Sequence, residues 1–288
     1  MAMLDLPARV TRGGGDRGRP GHRESVELPI GVFDSGVGGL TALRALAHQW
    51  PGETFLYLAD TARLPYGTKS PETIEQYLVQ NMKFLLQKGV KAIVVACNSA
   101  STVLLAKKIP SPVPVLNVIN PGSERAASLT ETNRIGIMGT RATVLSEAYV
   151  RTLKSINPDL QVFQQACPLL VPLIEENWIH DPLTNMVLYR YLQTILQQRI
   201  DVLVLGCTHY PILKASIQKV AGQDVQLVDA SIGLIAEIEK SVELRENAAI
   251  SGGEIQIACT DLTPQLEKFM RQLLEPFVPK SVRVVDVG

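Results

Sequence analysis

The sequence has few cysteines, few aromatic residues and no excess of charge of either sign. Its 288 residues include 28 lysines and arginines and 28 aspartates and glutamates, so the formal net charge is zero. A protein that binds nucleic acid through a basic surface would show an imbalance. Aromatic residues make up only 5% of the chain, which argues against a surface that stacks nucleic-acid bases. We therefore expect no specific nucleic-acid partner.

Long apolar runs are missing as well. No run approaches the ~18 residues that span a bilayer, and the N-terminus has no apolar segment before a small-residue cleavage site. We expect no membrane partner and a cytoplasmic protein. The four cysteines (Cys97, Cys167, Cys207 and Cys259) form no CxxC pair and have no zinc-finger spacing with histidine. No metal site is predicted, and the cysteines are expected to be free thiols.

Apolar residues are plentiful, at 46% of the chain, and at ~100–200 residues per domain the length allows about two domains. Residues 1–27 differ from the rest, because they are rich in arginine and glycine and lack apolar periodicity; we expect a flexible tail. From Leu28 onwards, short apolar runs alternate with helix-length segments such as Glu72–Lys88 and Pro182–Gln198. Runs such as IVVA and VLVL are apolar on both faces, which is typical of parallel strands covered by helices on both sides. The pattern predicts an α/β protein with doubly wound parallel sheets.

The predicted strands are Pro29–Phe33, Thr54–Ala59, Ala92–Ala96, Val113–Asn117, Arg134–Met138, Leu160–Gln165, Asp201–Leu205, Val225–Val228, Glu254–Ala258 and Val282–Asp286.

The sequence also repeats itself. Three pairs of segments match in the same order, roughly 105–110 residues apart: Ile30–Thr41 with Ile135–Ser146, Leu64–Tyr66 with Val171–Leu173, and Ile93–Ser99 with Leu203–His209. The repeat predicts two similar α/β domains that arose by duplication, with a cleft between them. We expect residues 28–124 and 234–288 to form the first domain and residues 125–233 the second, because the last segment has no counterpart and must pack back on the first half.

The repeat places Cys97 and Cys207 at equivalent positions, each just after an apolar strand. Ligands of open α/β sheets bind outside the carboxyl ends of the strands, so two facing halves would bring two thiols to one cleft. A single cysteine there is usually a buried packing residue. Two thiols on opposite faces of a small substrate suit the inversion of a stereocentre, in which one removes a proton and the other delivers one. A disulfide relay is the alternative, although redox pairs usually lie within one short motif.

Polar residues follow the same strand ends. Asp34 and Ser35 precede a glycine-rich turn into a helix, where backbone N–H groups can approach a carboxylate. The turn also weakly suggests a dinucleotide site, but Thr41 stands where the motif has its third glycine. Residues 65–67 lie on the same predicted rim. His209 follows Cys207 by two residues and could tune that thiol, and Glu175 could orient a group in the cleft.

These residues carry a family resemblance. Segments with the sequences FDSGVGGLT, ADTARLPYGTKS, ACNSAST, GIMGTRAT and LGCTHYPIL, in this order, resemble those of the glutamate racemases, cofactor-independent enzymes of bacterial cell-wall synthesis. The resemblance covers nearly all of the chain after the tail. It implies interconversion of L-glutamate and D-glutamate without pyridoxal phosphate or any other cofactor, and a homodimer. The family usually has threonine where this chain has Ser99, which affects only fine packing.

The resemblance also implies residue roles. Cys97 and Cys207 are the implied acid/base pair, with Cys207 acting on L-glutamate and Cys97 on D-glutamate, and Asp34, Glu175 and His209 assist. The implied substrate contacts are Asp34, Ser35, Pro65, Tyr66, Gly67, Asn98, Ser99, Thr208 and His209.

Two other functions remain open at this point. An aspartate or related amino-acid racemase would share both thiols, and only the relative turnover of the two amino acids separates it from a glutamate racemase. A two-lobed amino-acid-binding sensor without catalysis would share the fold. The paired thiols argue against such a sensor, because binding alone does not require them.

Overall fold

The computed structural model of the chain describes residues 26–245 and 252–288. The tail expected at residues 1–27 lies, except for its last two residues, outside the described residues. Strands in the described ranges are β1 (Ile30–Asp34), β2 (Phe55–Ala59), β3 (Ala92–Val95), β4 (Val115–Asn117), β5 (Arg134–Gly139), β6 (Gln161–Ala166), β7 (Val202–Gly206), β8 (Gln226–Asp229), β9 (Ile255–Cys259) and β10 (Ser281–Val284). Each coincides with a predicted strand to within two residues at either end.

The helices connect these strands and lie between them in the chain. They are α1 (Leu40–Gln49), α2 (Pro71–Gln87), α3 (Asn98–Lys107), α4 (Ile119–Leu129), α5 (Arg141–Leu145), α6 (Ala148–Ile156), α7 (Leu170–Glu175), α8 (Pro182–Leu196), α9 (Lys214–Ala221), α10 (Leu234–Ser241) and α11 (Pro264–Leu274). Among the helices of the described ranges, none combines the length and the apolar character that crossing a membrane requires.

The strands form two parallel sheets with the same internal order. The first sheet runs β10-β9-β2-β1-β3-β4 and the second β6-β5-β7-β8, and every pairing in both is parallel. The order β2-β1-β3-β4 therefore recurs as β6-β5-β7-β8, as the sequence repeat requires. Strands β9 and β10, from the segment without a counterpart, extend the first sheet beside β2. The predicted fold class, two doubly wound parallel-sheet units, is confirmed.

Both faces of the central strands are buried because their side chains alternate between two helical layers. In β1, Val32 packs in the same core as Leu43 of α1, whereas Phe33 packs in the core that contains Leu78 of α2. The core on the α1 side continues into the second unit, where it includes Ile137 of β5. The two halves therefore share one continuous apolar interior, and burial of this surface is the main force that stabilises the fold.

Several helices are preceded by a residue whose side chain accepts a hydrogen bond from a backbone N–H group of the first turn. Proline is the first residue of each of these helices. Ser70 accepts from the N–H of Thr73 at the start of α2, and Asp181 accepts from the N–H of Leu183 at the start of α8. Proline at the first helical position lacks an N–H group that would otherwise have no partner. These local signals explain why the two predicted helices begin within one residue of the observed starts.

The expected boundary between residues 124 and 125 falls inside a continuous helix. Helix α4 passes through it and packs against α6 and β7 of the second unit, and α10 packs against β4 of the first. The allocation of individual residues to the two domains stays a prediction.

Candidate active site

A cleft between the two units holds the predicted site residues. It lies at the carboxyl ends of the strands, where β1 and β3 of the first sheet face β5 and β7 of the second. The predicted residues that line it are Ser35, Pro65, Tyr66, Gly67, Cys97, Asn98, Ser99, Glu175, Cys207, Thr208 and His209. The structure thus gathers into one place side chains that are more than a hundred residues apart in sequence.

Cys97 stands on the wall that belongs to the first unit. It follows β3 and immediately precedes α3, and only 4% of its surface is exposed. Its Sγ–H donates to Ser35 Oγ at 3.5 Å. Burial raises the pKa of the Cys97 thiol to about 12, and the negative charge of Asp34 adds to the effect. At neutral pH Cys97 is therefore a thiol, able to deliver a proton.

Asp34 lies beneath this wall and does not line the cleft. Its Oδ2 accepts hydrogen bonds from the backbone N–H groups of Gly36 (3.2 Å) and Gly39 (3.1 Å). Thr208 Oγ1, from the second unit, donates to Oδ1 at 3.3 Å. Burial raises the pKa of Asp34, while the charge of His209 and these hydrogen bonds oppose the shift. With its oxygens occupied, Asp34 is placed to fix the loop and to act on Cys97 electrostatically.

Cys207 stands on the opposite wall as the first member of a polar chain. Its Sγ is 3.9 Å from His209 Nδ1, and His209 Nε2 is 3.2 Å from Glu175 Oε1. Burial by itself lowers the pKa of His209, but hydrogen bonding to Cys207 and to Glu175 outweighs it and raises the pKa to about 10. The imidazole is therefore a cation at neutral pH, and it lies beside the Sγ of Cys207.

The rim segment at residues 65–67 is supported from below by the buried carboxylate of Asp60. Tyr66 Oη donates to this carboxylate, Asn81 Nδ2 donates to it at 3.1 Å and Thr260 Oγ1 at 3.0 Å. The Arg63 guanidinium completes the set with an Nε–Oδ2 distance of 2.8 Å. The hydroxyl of Tyr66 therefore points away from the cleft, and Tyr66 contributes its ring and backbone to the wall.

The C-terminal segment takes part in this support. Besides Thr260, Asp261 donates its backbone N–H to Thr61 Oγ1 at 2.8 Å. Strand β9 lies directly beside β2, so these residues meet the turn that follows β2. The rim of the cleft is thus held by residues from two segments that lie 200 residues apart in the sequence.

The sequence analysis missed four residues that line the cleft: Gly36, Leu64, Thr140 and Val171. Thr140 has the strongest signal in the sequence, because it is the repeat counterpart of Ser35. Its Oγ1 lies 2.9 Å from Ser99 Oγ across the cleft. Gly67 also packs against Thr140, because a Cβ built on Gly67 would lie 2.5 Å from Thr140 Cβ. Extending the repeat argument to every strand end would have identified this residue.

The cleft is nearly closed. Its free volume is about 20 Å³, enough for roughly one water molecule. A groove of about 470 Å³ flanks it on the far side of the Gly67–Thr140 contact, but contains neither thiol. Among residues 26–245 and 252–288, no cluster of three or more His, Cys, Asp or Glu side chains could hold a metal ion. All four cysteines are buried and unpaired.

Two parallel α/β units present a buried thiol from each side of one cleft, which is the arrangement expected of a racemase. Comparison with known proteins agrees with this class. Residues 32–236 match the family model described as Asp/Glu/Hydantoin racemase, and the chain belongs to that family.

Individual relatives are similar over nearly the full chain. A glutamate racemase of Syntrophus aciditrophicus is 50% identical over 267 residues, which cover 91% of this chain and 99% of that protein. The crystal structure of the Francisella tularensis glutamate racemase in complex with D-glutamate has a TM-score of 0.82 at 34% identity, covering 91% of this chain and 98% of that one. The Bacillus anthracis glutamate racemase isoform RacE1 has a TM-score of 0.84 at 32% identity, with coverages of 91% and 98%.

Proposed function

We propose that this protein is a cofactor-independent isomerase that interconverts L-glutamate and D-glutamate. The observation that carries the proposal is the position of Cys97 and Cys207 on opposite walls of one closed cleft. The names of the relatives support glutamate as the substrate.

The surroundings of the two thiols differ. Cys207 Sγ lies beside the imidazole of His209, whereas burial near Asp34 keeps Cys97 in the thiol form. In the L-to-D direction the Cys207 thiolate removes the α-proton, and the electron pair of the C–H bond passes into the α-carboxylate. Cys97 then gives its proton to the opposite face of the α-carbon. The products are D-glutamate, a Cys207 thiol and a Cys97 thiolate, and the reverse reaction exchanges the two roles.

The carbanionic intermediate requires stabilisation of its carboxylate. Helix α3 begins at Asn98 directly beside Cys97, and the first N–H groups of a helix have no partner within it. The N-terminal end of a helix attracts negative charge, so this end is suited to hold a carboxylate of glutamate. Ser35, Thr208 and the backbone of Gly67 are the further proposed contacts.

Glutamate is much larger than the 20 Å³ of free space in the closed cleft. The two units must therefore separate for the substrate to enter. The bonds between Ser99 and Thr140 and between Thr208 and Asp34 join the two units, and we propose that they form on closure and exclude water from the reaction.

The further assignments rest on the resemblance to the family. We propose that the protein acts in the cytoplasm, where D-glutamate supplies peptidoglycan synthesis, and that it works as a homodimer. Light scattering on the purified full-length chain, at the concentrations used in the assay, tests the homodimer by its mass.

The proposed activity is tested by following the circular dichroism of L-glutamate with reduced enzyme and no added cofactor. We expect the signal to decay to that of the racemate; a flat trace with folded protein would contradict the proposal. Faster turnover of aspartate than of glutamate would assign the enzyme to the other substrate.

The two-thiol mechanism is tested by Cys97→Ser and Cys207→Ser, each expected to slow racemisation ~10²–10⁴-fold. In heavy water, residual α-proton exchange should persist on L-glutamate in Cys97→Ser and on D-glutamate in Cys207→Ser. Cys259→Ser is the matched control, because this buried thiol bonds only to a backbone carbonyl within the described residues, that of Arg283. Near-normal racemisation by either site variant would reject the mechanism.

A further inference from the structure

A buried hydrogen bond joins the second unit to a side chain of the cleft. Tyr149 lies in α6 with no exposed surface, and its Oη donates to Asn98 Oδ1 at 2.7 Å. Its ring packs beside β7, where a Cβ on Gly206 would come within 3.3 Å of Tyr149 Cε2. The tyrosine thus touches the strand end that carries Cys207 and the amide that follows Cys97.

This bond determines which way the Asn98 amide faces. Burial raises the pKa of Tyr149, and the charges of Asp229 and Cys207 add to the effect, so the phenol keeps its proton. Within the described residues Asn98 is the one acceptor available to that proton. A buried O–H without an acceptor is costly, so the amide must present its Oδ1 to Tyr149. The amide has one acceptor oxygen and one donor nitrogen, and Nδ2 is therefore directed away from Tyr149.

Asn98 Nδ2 has no hydrogen-bond partner among the described residues, and Asn98 lines the cleft. An N–H donor at this position suits a carboxylate oxygen of the substrate. We propose that Tyr149 is a positioning residue, which acts through Asn98 by holding its Nδ2 donor towards the substrate carboxylate. The inference rests on the proposed function, in which the start of α3, at Asn98, holds a carboxylate of glutamate.

The arrangement also makes the donor depend on closure. Tyr149 and Asn98 lie on different units, so the amide is oriented only when the two units are together. Substrate binding and closure are thereby coupled, since a carboxylate held by Nδ2 favours the closed arrangement.

Tyr149→Phe tests the proposal, because it removes one oxygen atom and keeps the ring. We expect KM for glutamate to rise ~10-fold with kcat changed less than ~3-fold, because Nδ2 holds the carboxylate equally in the ground and transition states, while the backbone N–H groups at the start of α3 meet the charge that develops. Tyr210→Phe is the matched control. That hydroxyl is equally buried but donates to the backbone carbonyls of Gly139 and Cys167 within its own unit. We expect it to lower stability without the rise in KM.

A double-mutant cycle with Asn98→Ala separates positioning from general packing. If Tyr149 acts through Asn98, adding Tyr149→Phe to Asn98→Ala changes KM less than ~2-fold. An unchanged KM in Tyr149→Phe, or a full additional rise in the Asn98→Ala background, would overturn the proposal.

The wild-type protein, Tyr149→Phe, Asn98→Ala and the double variant are also unfolded in urea without glutamate. This measurement tests the hydrogen bond independently of activity. Non-additive losses of stability support the bond, and additive losses refute it. If the wild-type enzyme fails to racemise glutamate, the proposed function is wrong, whereas the urea cycle still decides whether the bond exists.

Discussion

A methyl group at Gly38 should separate the two walls of the cleft. A Cβ built on Gly38 would lie 2.5 Å from both His209 Nδ1 and Thr208 Oγ1, and 2.8 Å from His209 Cε1. Ordinary contacts begin at about 3.4 Å, so Gly38→Ala requires about 0.9 Å of displacement in a closely packed region. The substitution itself introduces no backbone strain, because Gly38 does not have a positive φ.

The residues that must move are His209 and Thr208, which are close to Cys207 in the cleft. A shift of this size in His209 would weaken its 3.9 Å contact with Sγ, and a shift in Thr208 would break its bond to Asp34. A misplacement of about 1 Å can cost ~100-fold in rate, so we expect kcat of Gly38→Ala to fall by about that factor. The racemisation rate, measured by circular dichroism at saturating glutamate, gives this value directly.

Gly36→Ala is the comparison variant in the same loop. Its Cβ would meet Leu64 Cδ2 at 3.6 Å and Glu175 Oε1 at 3.8 Å, both ordinary contacts. We expect its loss of kcat to be at least ~10-fold smaller than that of Gly38→Ala. Retention of near-normal kcat by Gly38→Ala, with a normal thermal transition, would refute the argument that the His209 position limits catalysis.

Four further predictions concern charge and cofactors. Because the pKa of His209 is raised to about 10, its cationic form persists below that pH, and kcat should fall as pH rises through about 10; His209→Asn should be slower at neutral pH and lack this decline. Asp60→Asn should lower the free energy of unfolding in urea by ~2–4 kcal/mol and raise KM, because Tyr66 and Arg63 lose a buried carboxylate partner. Glu267→Gln, which weakens an exposed ion pair, should cost less than ~0.5 kcal/mol. Prolonged treatment with EDTA or hydroxylamine should leave the rate unchanged, and a loss restored by zinc or pyridoxal phosphate would contradict the thiol mechanism.

The architecture was accessible from the sequence because parallel strands leave a strong local signal. β1, β2 and β7 are buried along their whole length, which requires continuous apolar runs. The repeat then predicted two similar units, and the positions just after the strands identified both cysteines as candidates. Whether a residue lies within a strand or just after it depends on the neighbouring sequence, so the local pattern of apolar residues predicts it well.

The contacts between the two units were not accessible in the same way. The bond between Thr208 and Asp34 and the one between Ser99 and Thr140 depend on how the units are oriented. No local pattern encodes that orientation, which results from the continuous core between them. The same limit explains why the sequence analysis did not identify Asp60, which the structure shows as the support of the rim.

The dependence of the rim on β9 has a consequence for how the enzyme is made. All residues of the cleft have been synthesised once the ribosome reaches His209, yet Thr260 and Asp261, which hold the rim, follow some fifty residues later. A nascent chain that stops before β9 has both thiols and the second sheet but lacks the strand beside β2 that carries these supports. Catalytic competence is therefore a late event in synthesis, and a chain truncated before residue 255 should be inactive even though every residue assigned to the chemistry is present.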